Sequence, residues 1–238
     1  MSKSEHDWIT VHRARFAEPV DATTQDYSVP ARLSCARIGI DTDLGSDGMP
    51  ISRSAIWGAW SICENRAAAE EIMRDPSSHF PLLKRATECW NAMLIPYSHH
   101  GSVNWRGTIE DGTAIRVAND PGGDSVAVIT TAAIAADPQE ALPRIVDFLA
   151  NVWRARDHLV SCNGNVGAAL FAPCDDLEGI TFSLWRSDAT MASAAYGSGV
   201  HQDLILRHRQ APMFDRSSFT RARIVESNGS WDGNFPFK

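Results

Sequence analysis

The sequence lacks three features that would place a chain in a familiar class: a long apolar run, a surplus of basic residues, and closely spaced cysteines. No stretch of about 18 apolar residues occurs, which argues against a transmembrane helix. The chain has 22 Lys and Arg against 29 Asp and Glu, a net charge of -7, so we expect no nucleic-acid partner. The five cysteines are odd in number and widely scattered, which favours neither a disulfide framework nor a zinc site.

Targeting and nucleotide-binding motifs are missing as well. The first residues, MSKSEHDW, have no apolar stretch of the kind found in signal peptides. Scattered free thiols suit a reducing compartment, so we expect a cytoplasmic protein. The glycine-rich segment 39–48, GIDTDLGSDG, lacks the G-x-G-x-x-G spacing of a dinucleotide site. Redox chemistry in this chain would therefore need electrons from outside.

What the sequence does contain is an internal repeat. Segments 54–73, SAIWGAWSICENRAAAEEIM, and 179–198, GITFSLWRSDATMASAAYGS, each show an apolar strand ending in Trp, a polar cap and an alanine-rich helix. A second tryptophan before a turn closes each copy. Trp60 and Trp105 lie 45 residues apart, and Trp185 and Trp231 lie 46 apart. This spacing predicts a duplication.

The second copy shows its elements most clearly. Its apolar and β-branched runs predict strands, and its apolar residues at helical spacing predict helices. The predicted order is a strand at 125–134, a helix starting at 137–138, and a strand at 158–171 with a loop or bulge at Asn163-Gly164. A strand at 178–185, helices at 188–196 and 200–210, and a strand at 217–226 follow. This β-α-β-β-α-β order is the ferredoxin-like unit.

Two such units would pack together through their sheets. We therefore predict an α+β protein, a tandem duplicated ferredoxin-like fold of the dimeric α+β barrel type within one chain. The predicted organisation is an N-terminal half at 1–107, a turn-rich linker at 108–124 and a C-terminal half at 125–238. Residues 17–32 hold two prolines and no helical periodicity, which predicts a loop or a very short helix there.

Three stretches carry a resemblance to a known family. Segments 180–209, ITFSLWRSDATMASAAYGSGVHQDLILRHR, and 213–233, MFDRSSFTRARIVESNGSWDG, resemble the spheroidene monooxygenase family, as does 90–107, WNAMLIPYSHHGSVNWRG. That family contains haem, and its architecture is similar to that of the haem-dependent aldoxime dehydratases. In the dehydratases a histidine on the C-terminal helical segment binds the iron. The matching position here is His201.

The resemblance implies that the C-terminal half binds one haem b through His201. It further implies oxygenation of an organic substrate with O₂ and electrons from a donor protein, in a monomer or a homodimer. Two alternatives stay open: haem-dependent dehydration of an aldoxime-type substrate, and a haem-free binding protein of the same fold. The sequence does not identify the small-molecule substrate.

Other residues are secondary candidates for the haem site. Arg221 and Arg223 share one face of the last strand. They would hold haem propionates or donate hydrogen bonds in catalysis, unless they belong to a solvated sheet edge. Phe182 and Trp185, together with Trp153, would line a pocket between the sheets, or would otherwise be core.

Further histidines and cysteines are weaker candidates. Cys162 and Cys174 are rival thiolate ligands without a recognisable motif. For His79, a structural role is the favoured interpretation over a second ligand. His208 lies two turns beyond His201, and we expect it to face solvent.

Overall fold

The computed structural model describes residues 5–23, 36–105, 114–134, 138–173, 178–197, 200–210 and 214–237. Within these ranges, the side chains at positions 138, 200, 201, 205 and 209 lie outside the description. The remaining residues form eight strands and five α-helices. The strands are β1 (Trp8–Asp21), β2 (Ala36–Asp41), β3 (Arg53–Cys63), β4 (Glu88–Gly101), β5 (Val126–Ala133), β6 (Asn165–Pro173), β7 (Glu178–Trp185) and β8 (Arg216–Gly229). The helices are α1 (Arg66–Arg74), α2 (Pro76–His79), α3 (Pro138–Ser161), α4 (Asp188–Tyr196) and α5 (Val200–Gln210), and a 3₁₀ turn spans Pro81–Arg85.

The eight strands form one closed antiparallel barrel in the order β1-β3-β2-β6-β7-β5-β8-β4. The first half contributes β4-β1-β3-β2 and the second half β8-β5-β7-β6, so both halves use the same strand order. This order is that of two ferredoxin-like units joined edge to edge. The predicted α+β fold, a tandem ferredoxin-like barrel within one chain, is confirmed.

The two seams between the halves differ in length. Strands β4 and β8 pair from Trp90 opposite Gly229 to Gly101 opposite Ser218, whereas β2 and β6 share three residue pairs. Gly101 and Gly229 end the long strands with φ of +85° and +82°. A Cβ at either position would collide with a backbone carbonyl of the other strand. A glycine is therefore required at both ends of the β4–β8 pairing.

The barrel interior is a solid apolar core. Side chains alternate along each strand, so Ala127 and Ile129 point inward while Val128 faces the helices. Large aromatic rings from both halves fill the centre: Trp60, Trp90, Trp105, Phe171, Phe182 and Trp231. These rings pack edge to face, tilted or stacked, with centroids 5.4 to 6.4 Å apart. The helices therefore pack on the outer face of the sheet.

Each half covers its outer sheet face with its own helices, and α1 and α4 begin at side-chain caps. The Asn65 side chain accepts a hydrogen bond from the Ala68 N–H at 3.0 Å, and Ser187 does the same for Thr190 at 3.2 Å. In the first half, α1, α2 and the 3₁₀ turn pack closely on the sheet. In the second half, α3, α4 and α5 cover β5 to β8.

Three expectations about local structure are wrong. The strand predicted at 158–171 is wrong in its first part, because residues 158–161 complete α3. The predicted loop at Asn163-Gly164 is present, with Gly164 at φ +85°, and the strand after it begins at Asn165. The predicted loop at 17–32 is partly strand, since β1 continues to Asp21; residues 24–32 of that segment lie outside the described residues.

The third error concerns the repeat. Counted from the helix caps Asn65 and Ser187, Trp60 and Phe182 each lie five residues upstream. Trp60 and Phe182 both point into the barrel, whereas Trp185 faces the helices. Phe182, not Trp185, is therefore the structural equivalent of Trp60.

The division into halves at 1–107 and 125–238 with a linker at 108–124 stays a prediction. The first four strands fall within the first range and the last four within the last.

Across the described part of the chain, the helices are too short or too polar to span a membrane.

Candidate functional site

A cavity of about 260 Å³ lies between the outer face of the C-terminal sheet and the helices that cover it. Strands β5, β7 and β8 form its floor, and α3, α4 and α5 form its walls. Its described lining residues are Val128, Thr130, Ala132, Phe148, Asn151, Val152, Ala155, Arg156, Leu159, Gly179, Thr181, Ser183, Trp185, Met191, Ala195, Leu204, His208, Phe214 and Phe219. The volume is close to the lower end of the range of about 300–1,000 Å³ typical of ligand pockets.

The floor of the cavity is flat because its strands carry small residues on their outward face. Thr130 and Ala132 on β5 and Gly179 and Thr181 on β7 leave little side-chain volume above the sheet. Trp185 closes one end, where its indole N–H donates to the Ser183 hydroxyl at 2.9 Å. A flat floor with one aromatic end suits a flat apolar ligand.

The facing wall comes mainly from one face of α3. Phe148, Val152, Ala155 and Leu159 follow each other at helical spacing. An ion-pair bridge joins this helix to α5: Arg207 donates to Asn151 and to Asp147, each at 3.2 Å. The bridge holds α5 against α3, so both helices contribute to one wall.

His208 lies on the cavity wall, so the expectation that it faces solvent is wrong. Its imidazole stacks on the Phe214 ring with centroids 3.8 Å apart and planes 14° from parallel. It shares a face of α5 with Leu204, four residues earlier, which also lines the cavity. The site therefore contains an imidazole that the sequence analysis assigned to the surface.

Arg156 contributes a positive charge to the same wall. Its guanidinium lies over the Trp153 ring, 4.6 Å from the centroid, and its Nη1 donates to Asp157 at 3.2 Å. Its Nε is buried without a hydrogen-bond partner. No local sequence signal would have found it, because its place on the wall depends on how α3 packs over the sheet.

The predicted haem-site residues are only partly brought together. His201 lies in the first turn of α5, but its side chain is outside the described part of the structure. Trp185 lines the cavity. Phe182 points the other way, into the barrel, where it stacks on Trp231 at 6.2 Å. Trp153 packs against Arg156 next to the cavity.

Arg221 and Arg223 lie on the cavity's face of β8, but beyond its lining residues. Arg223 binds Asp120 through two hydrogen bonds of 2.7 and 2.8 Å and pairs with Asp188 at 2.6 Å. Both guanidinium groups lie over the Tyr97 ring, whose hydroxyl donates to Asp188 at 2.5 Å. The Arg223 hydrogen bonds lower the pKa of Asp120 to about 2. This cluster ties residue 120 to the start of α4.

The weaker candidates lie away from the cavity lining. Cys162, at the end of α3, contacts the carbonyl of His158, and Cys174 lies outside the described residues. His79 is buried in the N-terminal core, near Glu71 at 3.8 Å. In the described ranges, no group of three or more His, Cys, Asp or Glu side chains could hold a metal ion.

The fold and the helix-side cavity define a class, the α+β barrels built from two ferredoxin-like units in one chain. The chain is similar to spheroidene monooxygenase from Rhodobacter capsulatus, at 27% identity over 184 residues, which cover 76% of this chain and 72% of that protein. The resemblance predicted from the sequence is thus confirmed. No family model matches the chain.

Two solved structures share the architecture. An aldoxime dehydratase in complex with butyraldoxime superposes with a TM-score of 0.54 at 9% identity, over 93% of this chain and 80% of that one. A second aldoxime dehydratase superposes with a TM-score of 0.53 at 10% identity, over 93% and 82%. At this identity the comparison supports the fold alone.

Proposed function

We propose that the protein is a haem-dependent monooxygenase that oxygenates an apolar small molecule. The observation that carries the proposal is the apolar cavity between the C-terminal sheet and its helices, with an imidazole on its wall. The similarity to spheroidene monooxygenase supports oxygenase chemistry, and the resemblance of the C-terminal segments to that family supports haem b as the cofactor.

The residues around the cavity fit a haem. A histidine-ligated haem needs an imidazole, apolar walls and cationic partners for its propionates. The cavity has an imidazole at His208, a guanidinium at Arg156 whose Nε lacks a partner, and walls that are otherwise mostly aliphatic and aromatic. The Thr and Gly residues give the floor a flat surface.

His201 is the proposed iron ligand. Position 201 lies three residues before Leu204 and seven before His208, so the three positions share one face of α5. Leu204 and His208 both line the cavity. Their spacing supports position 201, one turn before Leu204, as a position on the cavity side of α5. In this proposal His208 is the rival ligand, and substitution of each histidine separates the two.

The chain's own residues bind and enclose the reactants. When bound, haem supplies the O₂ activation that no amino-acid side chain provides, and an external donor protein supplies the electrons. The apolar wall of α3 and the ring of Trp185 hold the substrate and exclude water. Arg221 and Arg223, proposed from the sequence as catalytic donors, here act indirectly, by holding the start of α4 through Asp188.

Purification after expression with a haem precursor tests the proposal. We expect a Soret band that is lost in His201→Ala and retained in His100→Ala, a control at an exposed histidine on β4. Loss in His208→Ala alone would move the ligand to position 208. A colourless wild-type protein would refute the haem proposal and support the haem-free binding protein.

Oxygen uptake separates the two haem-dependent functions. When a reductant and an apolar substrate that the protein converts are both present, an oxygenase consumes O₂ in proportion to the product formed. Turnover of an aldoxime under anaerobic reducing conditions, without O₂ uptake, would instead support the dehydratase alternative.

A further inference from the structure

We infer that Arg156 is the anion-binding residue of the cavity and that the ligand filling the cavity carries a carboxylate. The inference rests on the proposed function only in naming a haem propionate as one source of that carboxylate. A carboxylate of the substrate is the other source. Arg221 and Arg223, the residues that the sequence suggested for propionates, are paired with Asp188, and Arg223 also with Asp120. Each also has one buried nitrogen without a hydrogen-bond partner, but of the three arginines Arg156 is the one that lines the cavity.

The Arg156 side chain is held at the cavity with hydrogen-bonding capacity unused. It is 29% exposed, and its Nε is buried without a partner. An unsatisfied buried donor is unfavourable, whereas a guanidinium edge matches the two oxygens of a carboxylate. The Trp153 ring below it fixes the plane of the guanidinium and supplies no hydrogen-bond acceptor in that plane.

The existing negative groups near Arg156 do not neutralise it well. Asp157 bonds Nη1, but its side chain is 71% exposed, so solvent screens the pair. Asp41 is a second carboxyl close enough to interact. Burial raises the pKa of Asp41 to about 6, although the charges of Arg156 and Arg13 lower it, so Asp41 is mostly ionised at neutral pH. Its Oδ1 and the Arg156 Nε are both buried without a hydrogen-bond partner, so these two atoms do not satisfy each other.

The rest of the cavity does not oppose an anion. None of its described lining residues is acidic, and Arg156 is the one Arg or Lys among them. A single positive charge against an apolar wall acts in a low local dielectric, where it attracts an anion more strongly than in water. The site thus favours an apolar ligand with one acidic end.

The test uses two matched pairs of probes: haemin against its dimethyl ester, and decanoate against 1-decanol. In each pair one member carries a free carboxylate or carboxylates and the other does not. Binding is followed by quenching of tryptophan fluorescence, since Trp185 lines the cavity and Trp153 contacts Arg156. Arg156→Gln is compared with Arg144→Gln, a control on the same helix whose arginine pairs with Asp215 outside the cavity.

We expect the wild type and Arg144→Gln to prefer the carboxylate member of at least one pair by about tenfold. Arg156→Gln should lose this preference while its affinity for the neutral member stays the same. Arg156→Lys, which keeps the charge, should keep part of the preference. It replaces Arg156→Gln in the comparison if Arg156→Gln does not fold. A preference for haemin alone identifies the propionates; a preference for decanoate alone identifies a substrate carboxylate.

The inference fails if the wild type shows no preference in either pair, or if Arg156→Gln keeps the preference. If Arg156→Gln keeps the preference but is less stable than the wild type, the role of Arg156 is to stabilise the buried charge of Asp41 instead. If haemin does not bind but decanoate is preferred over 1-decanol, the haem proposal fails and the anion-binding role of Arg156 stands.

Discussion

Filling the cavity with a larger side chain should stabilise the protein and abolish ligand binding. Ala155 lies on α3 against the cavity and is 6% exposed. Replacing it with Leu adds three carbon atoms to a space of about 260 Å³. At about 0.8 kcal/mol per buried methylene, this is worth about 2 kcal/mol. The lost rotamer freedom of Leu reduces the net gain to about 1.5 kcal/mol.

The matched control is the same substitution in the other half. Ala69 lies on α1, is fully buried, and packs into the N-terminal core rather than against the cavity. There the added atoms overpack the core, and we expect Ala69→Leu to cost about 1–3 kcal/mol. Ala and Leu have similar helix propensities, so the difference between the two variants reports packing.

Urea unfolding followed by circular dichroism measures both free energies. Ala155→Leu should shift the midpoint upward and Ala69→Leu downward, with unchanged slopes. Ala155→Leu should also bind neither haemin nor decanoate. If Ala155→Leu is destabilised as much as Ala69→Leu, the cavity is filled by protein atoms in solution and the account of the site is wrong.

Three further predictions concern the fold and its pH dependence. Gly101→Ala and Gly229→Ala should each lower the free energy of unfolding by about 2 kcal/mol or more in urea titrations, because both positions have positive φ and abut a carbonyl of the partner strand; an unchanged midpoint would contradict the seam geometry. The pKa of Asp41, raised by burial to about 6, makes the folded state lose stability as pH rises from 4 to 6, so Asp41→Asn should be more stable than wild type above pH 6, by up to about 3 kcal/mol, and equal below pH 4. Burial lowers the pKa of His12 to about 4, so the folded state loses stability as pH falls from 6.5 to 4; an NMR titration in which His12 stays neutral at pH 5 checks this, and an ordinary titration near 6.5 would refute it.

Local signals in the sequence predicted the second half well. The cap at Ser187 and the Gly at 197 define α4, and the apolar run 178–185 coincides with β7. These features depend on neighbours in the chain, so a single sequence contains them. The strand predicted at 158–171 was wrong only before its loop, where residues 158–161 continue α3 for one more turn; apolar spacing alone does not separate a helix from a strand over so few residues.

The site was harder to predict because it depends on which face of each strand the helices cover. The resemblance led to α5 and to Trp185, both of which lie at the cavity. Phe182 was predicted to line the pocket, but it points into the barrel centre, where it packs among aromatic rings from both halves. Arg156 and His208 were missed because their roles depend on the packing of α3 against α5, which no local pattern encodes.

An absorption spectrum of the purified protein, in ferric, ferrous and CO-bound forms, tests the central claim most directly. The account predicts a Soret band typical of histidine-ligated haem, present in Ala69→Leu and absent from Ala155→Leu. A Soret band of equal intensity in both variants would show that haem binds elsewhere, and no band in the wild type after supply of haem would contradict the account.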